Sequence, residues 1–264
     1  TYVALSYWDL VLAALLIIIN GALSIFYRLG IERQLLIATL RMCVQLGAIG
    51  FVLKFIFAQT SPLWTLGLAL IMILLAGREI TARQSDRFQG WWAYGLGTTT
   101  LLFVGTIATL FGVAVLIGPE PWYAPRYVLP ILGMMLGNTL TGISLGLENM
   151  TTTVKRERNA IEARLALGAP RFDAMDQLRR QALKTGMMPI INSMAASGIV
   201  ALPGMMTGQI LSGVDPIEAT KYQLMIMFLI GGGTALGVLI AVNAAVRLLT
   251  DERHRLRLDR LQAQ

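Results

Sequence analysis

The sequence has little of the chemistry that soluble enzymes use. Its one cysteine, Cys43, lies in an apolar run, and its one histidine, His254, lies in a basic tail. A single cysteine excludes a disulfide framework and a cysteine-based metal site within the chain, and a single histidine excludes most zinc enzymes and histidine-based catalysis. The glycine run at 231–237 has no lysine, so it is not a phosphate-binding loop. We therefore expect no ATPase site and no enzymatic site in this chain.

Charge is also scarce, and its distribution indicates a membrane protein. Only 14% of the 264 residues are charged, 55% belong to the hydrophobic set, and the mean hydropathy is positive. A soluble domain of this length carries more charge. The net charge of +7 does not indicate a nucleic-acid partner, because most of the basic residues lie in loops on one side of the apolar segments.

Several stretches of the chain are long and apolar enough to cross a bilayer, for which about 20 residues are needed. Glycine, proline or charged residues separate them, as at Ser61-Pro62. The stretches are residues 8–27, 34–57, 62–78, 95–117, 127–148, 187–211 and 221–247. The sequence thus predicts an all-α membrane protein with about seven transmembrane helices.

The basic residues predict the orientation of these spans. If the N-terminus faces outward, 18 of the 22 lysines and arginines lie in inside loops, only Lys54, Arg126 and Lys221 lie outside, and Arg41 lies within a span. This asymmetry follows the positive-inside rule. We therefore predict an outward N-terminus and an inward C-terminus, with residues 150–186 and the basic tail 248–264 in the cytoplasm.

Residues 150–186 are predicted to form a helix-turn-helix arm between spans five and six. Gly168 suits the position that follows a helix, and Pro170 suits the first turn of the next helix. Apolar residues recur at helical spacing on both sides of this turn and form one stripe. They are Ile161, Leu165, Phe172, Met175, Leu178 and Ala182.

Three roles suit such an arm. It is a connector that packs on its own protein, a membrane-surface helix attracted to anionic lipid, or an element that docks on a cytosolic partner. The spacing from Glu162 to Gly168 favours the third role, because it partly resembles the coupling loop of ABC importer permeases. The match departs from that loop at two points. Arg164 replaces the second alanine, and the Leu-Pro that follows later in the importer loop is absent here. The residues predicted to couple to a partner ATPase are Glu162, Ala163, Arg164, Leu165, Gly168, Pro170, Arg171 and Phe172.

Polar side chains within the spans are candidates for a translocation path, because they are costly in hydrocarbon. Arg41 and Gln45 share one face of the second span; the alternative is that Arg41, eight residues after Arg33, snorkels to the inner surface. Asn138 and Asn192 lie in the fifth and sixth spans, where the alternative is hydrogen bonding between helices.

The sequence does not identify the ligands of a transported metal ion. The span interiors offer neither carboxylate nor imidazole for a hard cation such as ferrous iron. Thioethers suit softer ions such as cuprous copper, and core packing is their alternative role. The methionines concerned are Met134, Met135, Met187, Met188, Met205, Met206, Met225 and Met227.

The sixth span carries a break in "ALPGMMTGQILSGVDP" at 201–216. A proline followed by a glycine permits a kink or a re-entrant bend, which membranes tolerate where protein or water satisfies the backbone. We predict that an outer gate, or a wall of the translocation path, includes Pro203, Met205, Met206, Thr207 and Gln209. The alternative is a kink that only packs.

Four segments closely resemble the FetB-type permease family. They are "GN" at 137–138, "LALGAPR" at 165–171, "LPGMMTGQILSGVDP" at 202–216 and "KYQLMIMF" at 221–228. The family comprises bacterial ABC-transporter permeases for which iron export is proposed, and plant permeases linked to aluminium tolerance. The resemblance covers nearly the whole chain and implies a single permease domain, residues 1–264, that forms a homodimer in the bacterial inner membrane.

The resemblance also implies a division of labour between subunits. A separate cytosolic ABC ATPase subunit would bind ATP and magnesium, and this chain would bind no cofactor while exporting a metal ion, with iron as the first candidate. Two alternatives stay open. In the first, the substrate is a small organic solute such as a nucleotide sugar, to which related plant permeases are linked. In the second, the chain is a secondary transporter that works without ATP.

Overall fold

The computed structural model describes residues 6–58 and 61–263, which fall into two units divided after residue 60. The first unit is a pair of helices, α1 (Tyr7–Phe26) and α2 (Glu32–Phe57). Ser6 caps α1, because its hydroxyl accepts a hydrogen bond from the Trp8 amide at 3.1 Å. Both helices begin and end within two residues of the first two predicted spans.

The second unit begins at Ser61 and is built mainly of helices. The helices in its described part are α3 (Pro62–Ala82), α4 (Trp91–Leu110), α5 (Pro125–Arg156), α6 (Arg158–Ala166), α7 (Arg171–Ala174), α8 (Asp176–Ala196), α9 (Gly204–Leu211) and α10 (Pro216–Leu249). A π-helical segment, Phe111–Ile117, continues α4. The short strands β1 (Asp86–Phe88) and β2 (Leu261–Ala263) pair antiparallel, and a 3₁₀ turn, Leu258–Arg260, precedes β2. Proline occupies the first turn of α3, α5 and α10, where its missing N–H costs nothing.

Six helices in the described residues are long and apolar enough to cross a membrane, where the sequence predicts about seven. They are α1, α2, α3, α4 with its π-helical continuation, α5 and α10. The prediction of one span over 187–211 is wrong in its continuity, because α8 ends at Ala196 and α9 begins at Gly204. Gly198 between them has a φ of +92°, and Pro203 disfavours a helical conformation at the residue before it.

Both α5 and α10 are longer than the hydrocarbon core of a bilayer. They contain 32 and 34 residues, which at 1.5 Å per residue rise about 48 and 51 Å, against roughly 30 Å of hydrocarbon. The predicted start of the arm at residue 150 therefore falls inside α5, which runs on to Arg156. The arm begins as the continuation of a core helix.

At the centre of the second unit, α5 crosses α8 and α10 at close range. A Cβ atom on Gly142 would lie 2.8 Å from the Gly186 carbonyl oxygen and 2.9 Å from the Val238 side chain, and one on Gly146 would lie 3.4 Å from the Ala182 carbonyl oxygen. On each of α5 and α8, two small residues four positions apart form the motif that lets helix backbones approach. This contact fixes the point at which the chain returns from the arm to the core.

The C-terminal tail packs against the connection between α3 and α4, where β2 pairs with β1. Asp86 on β1 forms an ion pair with Lys155 near the end of α5. The Ser85 amide donates a hydrogen bond to the Glu148 carboxylate at 2.9 Å. Over its described residues, the basic tail is thus an integral part of the second unit.

Candidate functional site

The turn between α6 and α7 has the geometry that the sequence predicts. Gly168 has a φ of +89°, which disfavours any residue with a Cβ atom, and the Ala169 amide donates to the Arg164 carbonyl oxygen at 3.1 Å. These features close α6 with a glycine cap. Pro170 lies immediately before α7, which starts at Arg171. The turn is therefore as predicted, whereas the second predicted helix is divided into α7 and α8 at Met175; the cytoplasmic side of the arm stays a prediction.

The apolar stripe of the arm is buried against the chain's own core. Ile161 and Met175 are at most 1% exposed, and they join residues of α5, α8 and α10 in the main hydrophobic cluster. Leu165 and Phe172 are partly buried against the same cluster. The stripe therefore serves the first of the three roles, packing on its own protein, and it does not form a face on which a partner could dock.

The exposed part of the arm is the tip of its turn. Leu167, which directly precedes Gly168, is 89% exposed. It is the one large apolar side chain of residues 158–186, all of them described, that is exposed. The arm is thus packed on the core and presents a single exposed leucine at its tip.

Polar contacts hold the residues around this tip. Arg158 and Glu162 form an ion pair at 2.8 Å across one turn of α6. The Arg164 guanidinium reaches over the turn and donates to the Ala174 carbonyl oxygen at 3.3 Å, so Arg164 holds the turn closed. The exposed members of the predicted coupling set are Glu162, Ala163, Arg164, Gly168 and Pro170.

The start of α7 is tied to the C-terminal tail. The Arg171 amide donates to Nδ1 of His254 at 3.1 Å, and the Arg171 guanidinium lies over the Phe172 ring, 5.4 Å from its centroid. At the start of α8, a hydrogen bond from Arg179 at 2.5 Å holds the pKa of the Asp176 carboxylate below its ordinary value. The arm is thus anchored on both sides of its tip.

Pro203 begins a helix and does not bend one. It precedes the first residue of α9, and its carbonyl oxygen accepts a hydrogen bond from the Thr207 hydroxyl at 3.1 Å. The non-helical residues before it include Ile199 and Val200, which are 94% and 82% exposed. The break that the sequence predicts is therefore a non-helical interruption at 197–203, with the length of about two helical turns.

Methionines of α5, α9 and α10 gather in a second apolar cluster around Ile190 and Ile226. We call it the methionine cluster; its methionines are Met134, Met135, Met205, Met225 and Met227. Of the other candidates, Met187 packs on the main cluster, Met188 is exposed and Met206 is half-buried. Within the described residues, no group of three or more His, Cys, Asp or Glu could hold a metal ion.

Two glutamines place polar atoms beside the methionine cluster. Gln209 lies one helical turn after Met205 on α9, and Gln223 lies one turn before Met227 on α10. The side-chain oxygens of both are buried and accept no hydrogen bond from the described residues. A buried amide oxygen without a donor costs about 1–3 kcal/mol, so these atoms mark a position where a donor, such as water or a substrate group, is needed.

The two asparagines predicted for the translocation path have different surroundings. Asn138 donates to the Met134 carbonyl oxygen of its own helix at 2.9 Å, whereas Asn192 on α8 is exposed. Next to Asn138, the Thr139 hydroxyl lies 3.5 Å from that of Thr234 on α10. This last contact is a polar link between helices, which is the alternative role that the sequence allows.

Arg41 and Gln45 belong to the first unit, and both are exposed on α2. Arg41 borders a shallow pocket of about 520 Å³ together with Arg33 and Gln34, which both lie about two helical turns earlier. It therefore lies on the same side of α2 as Arg33, as the snorkelling interpretation requires.

Sequence reasoning missed two candidate site residues, Leu167 and Gln223. Leu167 falls outside the apolar stripe of the arm, and that departure from the period is the signal by which it could have been found. Gln223 is a polar residue near the start of a long apolar helix, which is the same signal that singled out Asn138 and Gln45.

The sequence of this chain is similar to those of several membrane proteins. Residues 7–249 match the profile of the uncharacterised protein family UPF0014. The chain is 37% identical to the UPF0014 membrane protein slr1647 of Synechocystis, over 83% of each chain, and 34% identical to the Protein ALUMINUM SENSITIVE 3 of Arabidopsis thaliana, over 84% of this chain and 80% of that one. It is 31% identical to the Probable iron export permease protein FetB of Escherichia coli, over 94% and 93%. No solved structure matches the chain.

Proposed function

This chain belongs to the UPF0014 family, and we propose that it is the permease subunit of an ABC transporter that exports a metal ion. The predicted resemblance to the FetB-type family is confirmed, since FetB of Escherichia coli aligns over 94% of the chain. The chain is an integral, multi-pass membrane protein of the permease type. The ABC partnership, the substrate and a homodimer in the bacterial inner membrane are the proposed parts.

The exposed tip of the arm is the observation that carries this proposal. Leu167 stands 89% exposed on a helix pair whose other large apolar side chains are buried or half-buried. Because the apolar stripe of the arm is packed on α5, α8 and α10, a displacement of the tip would be transmitted to these three helices. In the proposed orientation the tip lies in the cytosol. A separate subunit binds ATP and magnesium there, and its conformational changes move the arm.

Iron is the first candidate for the substrate, because the Escherichia coli relative is named a probable iron export permease. The proposed route passes the break at 197–203 and the methionine cluster, where the oxygens of Gln209 and Gln223 lack donors among the described residues. Softer metals and a nucleotide sugar are the competing substrates, and thioether sulfur favours the softer metals among ions.

The test is recovery of the partner and its response to substrate. The tagged chain is purified from its own membranes, and the ATP-hydrolysing subunit that accompanies it is identified and reconstituted with it. We expect ATP hydrolysis that rises with one class of substrate in a panel of iron, copper, zinc and a nucleotide sugar. Absence of any ATP-hydrolysing subunit, together with gradient-driven flux by the chain alone, would instead support a secondary transporter. Native mass spectrometry of the same sample checks the proposed dimer.

Pro203→Ala is expected to lower substrate-stimulated ATP hydrolysis several-fold while the protein stays folded. Removing the proline frees residue 202 to become helical, so α9 can extend into the break and change its shape. The cost to stability is only about 0.4–1 kcal/mol, the usual effect of losing a compatible proline. The measurements are stimulated hydrolysis and the melting temperature.

The control is Pro216→Ala, which removes a proline from the first turn of α10, where Asp215 caps the helix independently. If Pro203→Ala and Pro216→Ala leave hydrolysis equally unchanged at full expression, the break at 197–203 only packs and forms no gate.

A further inference from the structure

The first residues after α10 form a compact loop organised by Asp251. Its carboxylate accepts hydrogen bonds from the amides of Arg253 at 3.0 Å and Arg255 at 2.8 Å, and its own amide donates to the Arg255 carbonyl oxygen at 3.0 Å. The backbone hydrogen bond from Arg255 is the main reason that the pKa of Asp251 lies below its ordinary value. The Arg257 amide then donates to the Leu249 carbonyl oxygen at 2.8 Å, so the loop closes on the end of α10.

Two further contacts fix this loop against the rest of the second unit. Nδ1 of His254, at the outer end of the loop, accepts the hydrogen bond from the Arg171 amide in the arm. After the loop, β2 pairs with β1. The arm, α10 and the tail therefore meet in a preorganised arrangement. A ligand bound between them would not incur the entropic cost of ordering a flexible segment.

A pocket of about 520 Å³ lies at this junction, and arginines dominate its lining. We call it the arginine pocket; its arginines are Arg171, Arg247, Arg253, Arg255 and Arg260. The two carboxylates that line it are Asp251 and Glu252, and Asp251 is already engaged with Arg255 at 2.9 Å. The lining therefore carries an excess of positive charge.

Two of these guanidinium groups have no partner among the described residues. Neither Arg247 nor Arg253 forms a side-chain hydrogen bond or an ion pair there. The last carbonyl oxygens of α10 carry partial negative charge, but two of them already accept hydrogen bonds. The Arg260 guanidinium donates to the Leu248 carbonyl oxygen at 2.8 Å, and the Thr250 hydroxyl donates to the Val246 carbonyl oxygen at 2.7 Å. These two oxygens are therefore not available to pair with Arg247 or Arg253.

From this arrangement we propose that the arginine pocket binds a phosphate group. Guanidinium groups bind phosphate oxygens with paired, charge-assisted hydrogen bonds. The 34 residues of α10 rise about 51 Å, which is more than the roughly 40–45 Å of a bilayer with its headgroups, so an α10 that spans the bilayer places the pocket at the headgroup layer or just beyond it. The phosphate belongs to an anionic lipid headgroup or to a free phosphate, and the chemistry of recognition is shared.

The test compares the double variant Arg247→Gln/Arg253→Gln with Arg156→Gln/Arg180→Gln, which removes two exposed arginines from outside the pocket. Binding of phosphatidylglycerol is measured by native mass spectrometry of the full chain, with phosphatidylcholine as the neutral reference. Binding of inorganic phosphate is measured by calorimetry in phosphatidylcholine nanodiscs. Size-exclusion profiles check that both variants are folded, and Arg247→Lys/Arg253→Lys keeps the charge without the planar fork.

We expect the pocket variant to bind the phosphate probe about thirtyfold more weakly than wild type, from about 1 kcal/mol for each arginine, with partial recovery in the lysine variant. Loss confined to phosphatidylglycerol identifies a lipid headgroup as the source, and loss confined to inorganic phosphate identifies a free phosphate. Equal binding by the pocket and control variants overturns the proposal. It is also overturned if the pocket variant loses only a protein partner, since the arginines would then face an acidic protein surface.

Discussion

Leu167→Asp is expected to abolish co-purification of the ATP-hydrolysing subunit while the permease itself stays folded. Leu167 is 89% exposed, so its replacement disturbs no internal packing. Truncating an apolar hot spot costs about 2 kcal/mol or more, roughly thirtyfold in affinity, and an unpaired carboxylate buried in the partner's groove adds to that cost. The measurement is the ratio of ATPase subunit to tagged chain after purification.

A matched control separates the position of the charge from the charge itself. Asn159→Asp adds the same carboxylate at an exposed position near the start of α6, away from the tip, and is expected to retain the partner. Leu167→Met keeps an apolar side chain at the tip and is expected to retain it too. Full retention of the partner by Leu167→Asp would show that the tip of the arm is not the docking point.

Gly142→Val is expected to prevent folding of the second unit. A Cβ atom at this position meets the Gly186 backbone at 2.8 Å and Thr234 and Val238 at 2.9 Å, so three helices would have to separate. Overpacking of a core usually costs about 1–3 kcal/mol, and a clash with backbone, which cannot move to another rotamer, lies at or above the upper end. The measurement is the monodisperse fraction of expressed protein in size-exclusion chromatography.

Gly137→Val is the control on the same helix. A Cβ atom on Gly137 meets nothing within 4 Å, so this variant is expected to keep the monodisperse fraction and melting temperature of the wild type. If both valine variants behave alike, the close crossing of α5 with α8 and α10 is not what holds the second unit together.

The elements with strong local signals could be predicted from the sequence. Pro62 lies where the predicted third span and α3 both begin, because a first-turn proline acts within one turn of the chain. Gly168 likewise has the positive φ that its position after α6 predicts. These features depend on a few neighbouring residues, and composition supplies the membrane environment.

The partners of the apolar faces could not be predicted in the same way. The period of Ile161 and Met175 shows that one face of the arm is buried, but it carries no information on whether the chain's own core or another protein covers it. The same limit applies to Met205, whose place among methionines of α5 and α10 depends on contacts between segments distant in the sequence.

The interruption of the sixth predicted span has a similar origin. An average over residues 187–211 is apolar enough for a membrane helix, and the break within it depends on the backbone conformation of Gly198 and on the helix start at Pro203. Hydropathy does not report either property. The polar start of α8 at Asp176 also extends that helix far outside the predicted span.

Metal accumulation in sealed proteoliposomes tests the central claim most directly, namely that the arm couples this permease to an ATP-hydrolysing subunit. The vesicles contain the chain and its partner with the arm facing outward, ATP is added outside, and iron is the first metal measured. The account predicts accumulation that requires ATP and the partner and that disappears with Leu167→Asp. Accumulation by the chain alone, without ATP and driven by an ion gradient, would contradict it.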